Sequence, residues 1–588
     1  MLFNVISDAF MEMEATSKRQ ELTLILSKLF NQTPKNDLRK VVYLTQGKIY
    51  PDYRGIELGV ADKSVLKALS IWSGVDIRQL ETMYHDLGDL GNVAEQRLSK
   101  NSQTTLFSQP LTLDHVYETL ESIATIKGSR SLEMKLRFIV NLLNNSSPCE
   151  SKYLIRTVTG RLRLGIADYT ILDALAIAFT KDKKNRIYLE RAYNVCSDLG
   201  EVAQTIATRG LQAIKEIRIQ VGRPVRPMLA ERLDSAKEIV VKMGGVCSAE
   251  HKLDGERLQV HKNDNKIDIF SRRMEEITAQ YPDVADSCRA GIRSKNAIIE
   301  GEVVAINPET GRYLAFQELM HRRRKYGIKD AVKNYPVSFY CFDILHSLGE
   351  DLTTRPYAKR REILEANLIV DGKLHLVPRE LTDNPKKIDR FMRSALAKGC
   401  EGLVIKDIES PYRAGAREFS WIKLKREYRT GFKETTDLVI IGAFFGKGRR
   451  VGKYGAFLLA AFDAVNDKFK TVCKIGTGFT DEDLDTLFAK LNVQAVPNPD
   501  RRVESNMSAD VWFPPRIVIE IAASEVTLSP IHTVARNSIR QNAGLALRFP
   551  KYTGRLRVDK SPEDSTTEDE IIEMYRSNLK GRSPLKQP

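Results

Sequence analysis

At 588 residues, with 91 Lys and Arg against 76 Asp and Glu, the chain is too long for one core and carries a formal net charge of +15; a prior of about 150 residues per domain suggests three or four domains. The positive excess attracts polyanions without saying which, and ribosome-associated and membrane-surface proteins share it. Seven scattered cysteines with no CxxC spacing argue against a zinc ribbon or disulfide framework, and no stretch approaches the length of a membrane span. The N-terminus, MLFNVISDAFMEMEATSKRQ, lacks a basic start followed by an apolar run, so a soluble, cytoplasmic, prokaryotic-like protein is expected.

The first 215 or so residues read as helical and contain a divergent repeat. Residues 17–34 (SKRQELTLILSKLFNQTP) line up with 131–148 (SLEMKLRFIVNLLNNSSP), and VADKSVLKAL is echoed by IADYTILDAL. Two similar helical units in one chain are expected to pack as a pseudo-symmetric pair. Each holds a basic, Gly-containing loop, Thr45-Gln46-Gly47-Lys48 and Thr159-Gly160-Arg161-Leu162-Arg163. Such loops can be ordinary solvated turns, or can together grip a duplex backbone without reading sequence.

From about residue 216 the texture changes to short strands, with Val221-Gly222-Arg223-Pro224-Val225-Arg226-Pro227 as the junction. The stretch EHKLDGERLQVH (residues 250–261) follows. Read alone it is a charged Asp-Gly turn, glycine accepting positive φ, or else the setting of a reactive lysine. Leu258-Gln259-Val260 and Ile267-Asp268-Ile269-Phe270 alternate on either side of a polar turn, which predicts a hairpin. Further on, Glu300 and Glu302 share one face of an apolar strand, a costly placement that gives one of them a job. Phe339-Tyr340-Cys341-Phe342-Asp343-Ile344-Leu345 is a buried strand with one acid, and Cys400-Glu401-Gly402-Leu403-Val404-Ile405-Lys406 opens on an acid and closes on a base. Trp421-Ile422-Lys423-Leu424-Lys425 sets two lysines on one face, an expensive pair unless an anion lies between them.

The third region opens with Leu438-Val439-Ile440-Ile441-Gly442-Ala443-Phe444, a basic turn Gly446-Lys447-Gly448-Arg449-Arg450, and another strand, residues 456–462. Short strands with Gly turns over about 130 residues suit a small barrel. A last helix is expected over 567–577, begun by acidic residues and followed by a polar tail.

Taken in order, these segments resemble the nucleotidyltransferase motifs of ATP-dependent DNA ligases, closest to the archaeal and eukaryotic replicative type. Lys252, Asp254, Gly255 and Arg257 match the lysine motif KxDGxR, Ser271-Arg272 the next, and Glu302, Phe342, Glu401 and the Lys423/Lys425 pair fall where later motifs belong. Arg557-Val558-Asp559-Lys560 matches the last, RxDK. The likeness covers nearly the whole chain. It implies an all-α helical DNA-binding domain with an internal repeat over 1–215, an α+β nucleotidyltransferase (adenylation) domain over 216–429, and a β-barrel OB-fold domain with a C-terminal helix over 430–588.

The resemblance also implies a function: sealing of nicked duplex DNA with ATP and Mg²⁺, in replication, repair and recombination, by a monomer. Lys252 takes AMP as a labile phosphoramidate, and for that its amine must be uncharged, which nearby cations favour. Lys406, Lys423 and the metal are candidates for those cations, and Arg257 and Arg272 with them for neutralising the phosphates. Mg²⁺, which prefers carboxylates and keeps several waters, falls to Glu302 and Glu401. Glu250 is assigned to the adenine amino group, Phe342 to stacking on the ring, Arg257 to the ribose, and Arg417 to a further nucleotide contact. Arg557, Asp559 and Lys560 act mainly in the first step, so residues 427–431 are expected to be a hinge. Gln103, Thr104, Thr105, Leu106 and Phe107 resemble a sliding-clamp-binding motif, with leucine in place of the second aromatic; a polar linker fits them equally.

Two other readings stand beside this one. RNA ligases and mRNA-capping guanylyltransferases share the lysine motif but not normally the repeated helical region, and an NAD-dependent ligase would bring a cysteine-rich zinc module. A non-catalytic nucleic-acid-binding protein explains the charge and the barrel, but not the acids and lysines of the middle region.

Overall fold

The computed structural model describes residues 1–16, 18–100, 109–128, 130–233, 235–307, 309–314, 318–319, 321–322, 327–425 and 435–580, the side chains of 100, 425, 449 and 577–580 excepted. The suggested clamp motif at Gln103 to Phe107, the suggested hinge at 427–431 and the Lys425 side chain lie outside these. The chain forms two compact units, one of Met1–Glu81 with Leu90–Arg429 and one of Thr82–Asp89 with Thr430–Pro588.

In the first unit the helical repeat packs reciprocally. Helix Arg19–Gln32 of the first copy lies on Asp168–Thr180 of the second, and Asp62–Ser73 of the first lies on Ser131–Asn144 of the second. Each copy thus supplies the apolar face the other lacks. Fully buried residues such as Leu26 and Phe30 contribute roughly 1.5–3 kcal/mol each. The two basic loops show the same reciprocity: Gln46 donates to Asp168 (2.8 Å), and Arg161 pairs with Asp62 (2.8 Å). Each loop therefore contacts the first residue of the opposite copy's helix. Asp168–Thr180 is apolar nearly all round, as a central helix must be, and its one buried acid, Asp173, meets Arg19, Lys183 and Arg186. Local signals set the ends: Ser147 and Glu150 form a capping box around Pro148, which starts helix Pro148–Val158.

The middle region is built on two sheets. One runs in the order Leu229–Arg232, Arg417–Lys425, Gly402–Asp407, Cys247–Lys252, Arg379–Thr382. The other runs Lys266–Ser271, Glu256–Asn263, Asn296–Ala305, Val337–Ser347, Glu350–Asp351. The predicted hairpin is present, with Asp264 at its turn in the left-handed region (φ 51°). The Asp254-Gly255 pair corrects the local reading. It does not join two paired strands but carries the chain from one sheet to the other, because Cys247–Lys252 and Glu256–Asn263 belong to different sheets. Nor does Gly255 adopt positive φ. It is glycine for room: a Cβ there would lie 2.1 Å from the Val303 carbonyl oxygen and 3.0 Å from Glu302 Cγ.

The junction to the helical region is locked by side chains of that hairpin. Gln259 bonds both backbone groups of Val225 (2.7 and 2.9 Å), and His261 Nδ1 accepts the Gly222 N–H (2.9 Å). His261 Nε2, which then carries the proton, donates to Gln259 (2.9 Å). Burial, with His346 assisting, pulls the His261 imidazole down to about 3. The folded protein holds it neutral while the unfolded chain protonates it near pH 6.5, so stability falls as pH drops from about 6.5 toward 3, by about 1.4 kcal/mol per pH unit. The thermal midpoint of His261→Gln, which keeps a donor and an acceptor, is expected to fall less steeply than that of the wild type between pH 6.5 and 4.5. Parallel curves would remove His261 as the source.

The second unit is rich in sheet. Its main sheet runs Val503–Glu504, Lys468–Ile475, Tyr454–Asp463, Thr435–Phe445, Val511–Ala522, Lys551–Leu556, with a separate pair Glu525–Ser529 and Gly544–Arg548. Leu459, Phe513 and Ile519 belong to one core cluster of this unit, and Val439, Leu458 and Val518 to a second. The last helix is Glu568–Lys580, opened by three acids. All seven cysteines are free, and no helix among the described residues is long and apolar enough to cross a membrane.

Candidate active site

Between the two sheets of the middle region lies a cleft of about 520 Å³, lined from one side by the strand ending in Lys252 and from the other by the strand carrying Glu302. Lys252 is the last residue of Cys247–Lys252 and pairs in register with Gly402. That register places Glu401 beside it: the Glu401 N–H donates to the Lys252 carbonyl (2.9 Å), and Lys252 Nζ meets Glu401 Oε2 at 2.6 Å. Both side chains are about one quarter exposed, open to the cleft.

Strand period alone left open which of Glu300 and Glu302 has a task, and the resemblance chose Glu302. Glu300 is buried and spent on Arg257 (2.7 Å) and Gln259 (3.2 Å). Glu302 faces the cleft, and its carboxylate makes no hydrogen bond or ion pair with a described residue. Burial pushes its carboxyl up to about 7; Glu401 and Asp254 add to this, while Lys252 and Arg257 oppose it. Glu302 and Glu401 thus approach one space, with the Lys252 ammonium beside them. Among the described residues no three His, Cys, Asp or Glu side chains converge as a metal cage. Two carboxylates still fit a small divalent cation that keeps most of its waters.

Arg257 is held from below by Glu300 and by the Met228 carbonyl (2.8 Å), with the rings of Phe342 and Trp421 5.2 and 5.6 Å away. Burial alone would favour its neutral form, but the Glu300 charge outweighs that and holds the guanidinium above its usual range. Arg272 reaches the cleft from a tight loop in which Ser271 Oγ accepts from the Arg273 N–H (3.2 Å) and the Glu275 N–H (3.3 Å). Lys423 and Arg417 line the opposite wall, Arg417 also donating to the Ala230 carbonyl (3.3 Å).

Lys406 departs from expectation. It was a candidate cation beside Lys252, but it lies four residues along the strand from Lys252's partner and forms a nearly fully buried pair with Glu250 (2.7 Å). Its ammonium sits 4.4 to 4.7 Å from the ring centroids of Phe342, Tyr357 and Trp421 and donates to the Phe342 carbonyl (3.2 Å). Burial draws the ammonium below the usual lysine range, with Glu250 opposing. The other oxygen of Glu250 accepts from the Tyr357 hydroxyl and from Ser248 (3.3 Å). One end of the cleft therefore presents an acceptor and a donor side by side against aromatic faces. Behind it, Asp343 and Arg360 form a fully buried bidentate pair (2.8 and 2.9 Å) that ties Phe342's strand to the helix bearing Tyr357.

Sequence reasoning missed Tyr357, Trp421 and Gln259 as parts of this site, and named Ser271 only as the neighbour of Arg272 in its motif. Trp421 lay in a segment already singled out. Nothing local marks Tyr357, which arrives on the separate helix Tyr357–Asn367. The RxDK residues belong to the second unit, where Arg557 is paired with Asp559 (2.7 Å) and Asp437 (2.6 Å), and Lys560 with Asp437 (2.8 Å).

Three family models match the chain: "DNA ligase N terminus" over residues 2–176, "ATP dependent DNA ligase domain" over 227–425 and "ATP dependent DNA ligase C terminal region" over 450–560. Relatives called DNA ligase from Nitrosopumilus maritimus and Cenarchaeum symbiosum are 47% and 48% identical over 580 residues, covering 99% of this chain and 99% and 98% of theirs. One called DNA ligase 2, from Thermofilum pendens, is 48% identical over 589 residues, 98% of each chain. A solved structure designated Pmar-Lig_PreS3 shares the fold at 16% identity, with a TM-score of 0.53 over 94% of this chain and 99% of its own.

Proposed function

The chain belongs to the ATP-dependent DNA ligases, and on that premise we propose that it seals nicks in duplex DNA with Lys252 as the residue that carries AMP. The observation that carries the reading is the placement of Lys252 at the open side of the cleft, 2.6 Å from Glu401 and facing Glu302, with a recess lined by Glu250, Lys406 and Phe342 at the other end.

The chemistry follows from those groups. Lys252 Nζ, having given up its proton, attacks the α-phosphorus of ATP, an N–P bond forming as the bond to pyrophosphate breaks. Glu401, which pairs with the ammonium in the free protein, is the nearest acceptor for that proton. Lys423 and Arg272 offset charge building on the phosphate oxygens. The 5′-phosphate of the nick then displaces the lysine to give a DNA-adenylate, and the 3′-hydroxyl displaces AMP to close the strand. Glu302 and Glu401 would hold a divalent cation such as Mg²⁺, whose charge would further stabilise those oxygens.

At the recess, the Glu250 carboxylate beside the Lys406 ammonium offers an acceptor next to a donor, the complement of adenine's amino group and ring nitrogen. Phe342 supplies a face for stacking, and Arg257, pinned by Glu300, stands by the ribose. Arg417 is the further nucleotide contact. Lys425 is assigned to the phosphates, and Arg557, Asp559 and Lys560 together to orienting the pyrophosphate in the first step. Domains over 1–215, 216–429 and 430–588, the last an OB-fold barrel, are part of the proposal. So are a monomeric state and a sliding-clamp contact through Gln103 to Phe107, which rests on sequence alone. The paired loops at Gln46 and Arg161, brought together by the repeat, suit the duplex backbone.

The test is a duplex with one nick bearing a labelled 5′-phosphate, incubated with protein, ATP and Mg²⁺. A full-length labelled strand that requires ATP is expected. No joining of DNA, or joining of nicked RNA alone, would contradict the reading.

A further inference from the structure

The RxDK segment is arranged around a residue that no motif singles out. Asp437 lies near the start of strand Thr435–Phe445, with both backbone groups fixed: its N–H donates to Thr566 Oγ1 (3.0 Å), and its carbonyl accepts the Thr566 N–H (2.8 Å). One carboxylate oxygen, Oδ2, receives both Arg557 Nη1 (2.6 Å) and Lys560 Nζ (2.8 Å). Arg557 is in turn seated by its own N–H on the Val518 carbonyl (2.9 Å). Two cations drawn to a single oxygen would repel one another without it. The partners differ in setting: Asp437 is only 13% exposed, whereas Asp559, which grips the other side of Arg557, is 56% exposed. Asp437 is thus a fixed anchor and Asp559 a partner that solvent or an anion can replace.

We propose that Asp437 is a positioning residue for the first chemical step, holding Arg557 and Lys560 together as one cationic seat for the pyrophosphate of ATP. The proposal rests on the ligase reading. A seat of two close cations suits a leaving group that gathers negative charge as it departs, and holding it in place beforehand avoids reorganisation during the reaction. The seat is needed when ATP reacts and not when a nick that already carries AMP is closed.

The experiment uses full-length Asp437→Asn, which keeps the shape and removes the charge, with three measurements: adenylation of the protein by α-labelled ATP, closure of a nick supplied as 5′-adenylated DNA without ATP, and the thermal midpoint. Adenylation is expected to slow at least tenfold with a raised KM for ATP, while closure of the adenylated nick stays within twofold and Asp437→Glu recovers part of the loss. In a Lys560→Gln background the same substitution should do little more, because its partner is gone. If Asp437→Asn lowers the midpoint markedly, Asp437→Ser provides the second variant. Unchanged adenylation, an equal loss in both reactions, or additivity with Lys560→Gln overturns the proposal. Absence of adenylate in the wild type overturns the ligase reading itself.

Discussion

Lys252→Ala is expected to cut formation of the protein–AMP adduct by more than about 10³-fold, because it removes the amine at the open side of the cleft that attacks the α-phosphorus. The more informative variant is Lys252→Arg. A guanidinium can still pair with Glu401 and so keeps the fold and the charge, but it stays protonated at any workable pH and is no nucleophile. Lys252→Arg should therefore match the wild type in thermal midpoint and be as inactive as Lys252→Ala in adenylation. If Lys252→Arg retains adenylation, the lysine is a structural partner of Glu401 and the reagent lies elsewhere.

Gly255→Ala should be nearly as damaging, for a different reason. The added methyl would lie 2.1 Å from the Val303 carbonyl oxygen and 2.7 Å from Val304 Cγ1, both on the strand that carries Glu302. Backbone cannot yield as a flexible side chain does, so the strands bearing Lys252 and Glu302 must move apart. Overpacking of this kind costs roughly 1–3 kcal/mol of stability, and a displacement of about 1 Å at reacting groups costs on the order of 10²-fold in rate. Gly245→Ala is the control: a Cβ at Gly245 meets nothing within 4 Å. Adenylation by Gly255→Ala at the wild-type rate would show that the spacing between the two strands is not critical.

How much of this could be read from the chain depends on how far apart the partners lie. Glu302 stood out because a costly charge in an apolar strand is visible within a few residues of sequence, whereas Lys252 and Glu401 were singled out by the resemblance of the motifs taken in order. The reciprocal helices were legible as a repeat, but the exchange of Gln46 and Arg161 onto Asp168 and Asp62 was not, since it follows from the rotation of one copy against the other. The Asp254-Gly255 step was read as a turn because local propensity reports a bend and cannot report which sheet the next strand joins. Lys406 was misplaced for a related reason. Its strand position was correct, but its register against Cys247–Lys252 sends it to Glu250 and the aromatic rings rather than to Lys252. Tyr357 gave no sequence signal, being an ordinary tyrosine in the first turn of a helix whose placement depends on the buried Asp343–Arg360 pair.

Incubation of the wild-type protein with α-labelled ATP and Mg²⁺, followed by proteolysis and mapping of the labelled peptide, tests the central claim most directly. The account predicts one acid-labile adenylate, on Lys252. No adenylate, or an adenylate on any other residue, would contradict it.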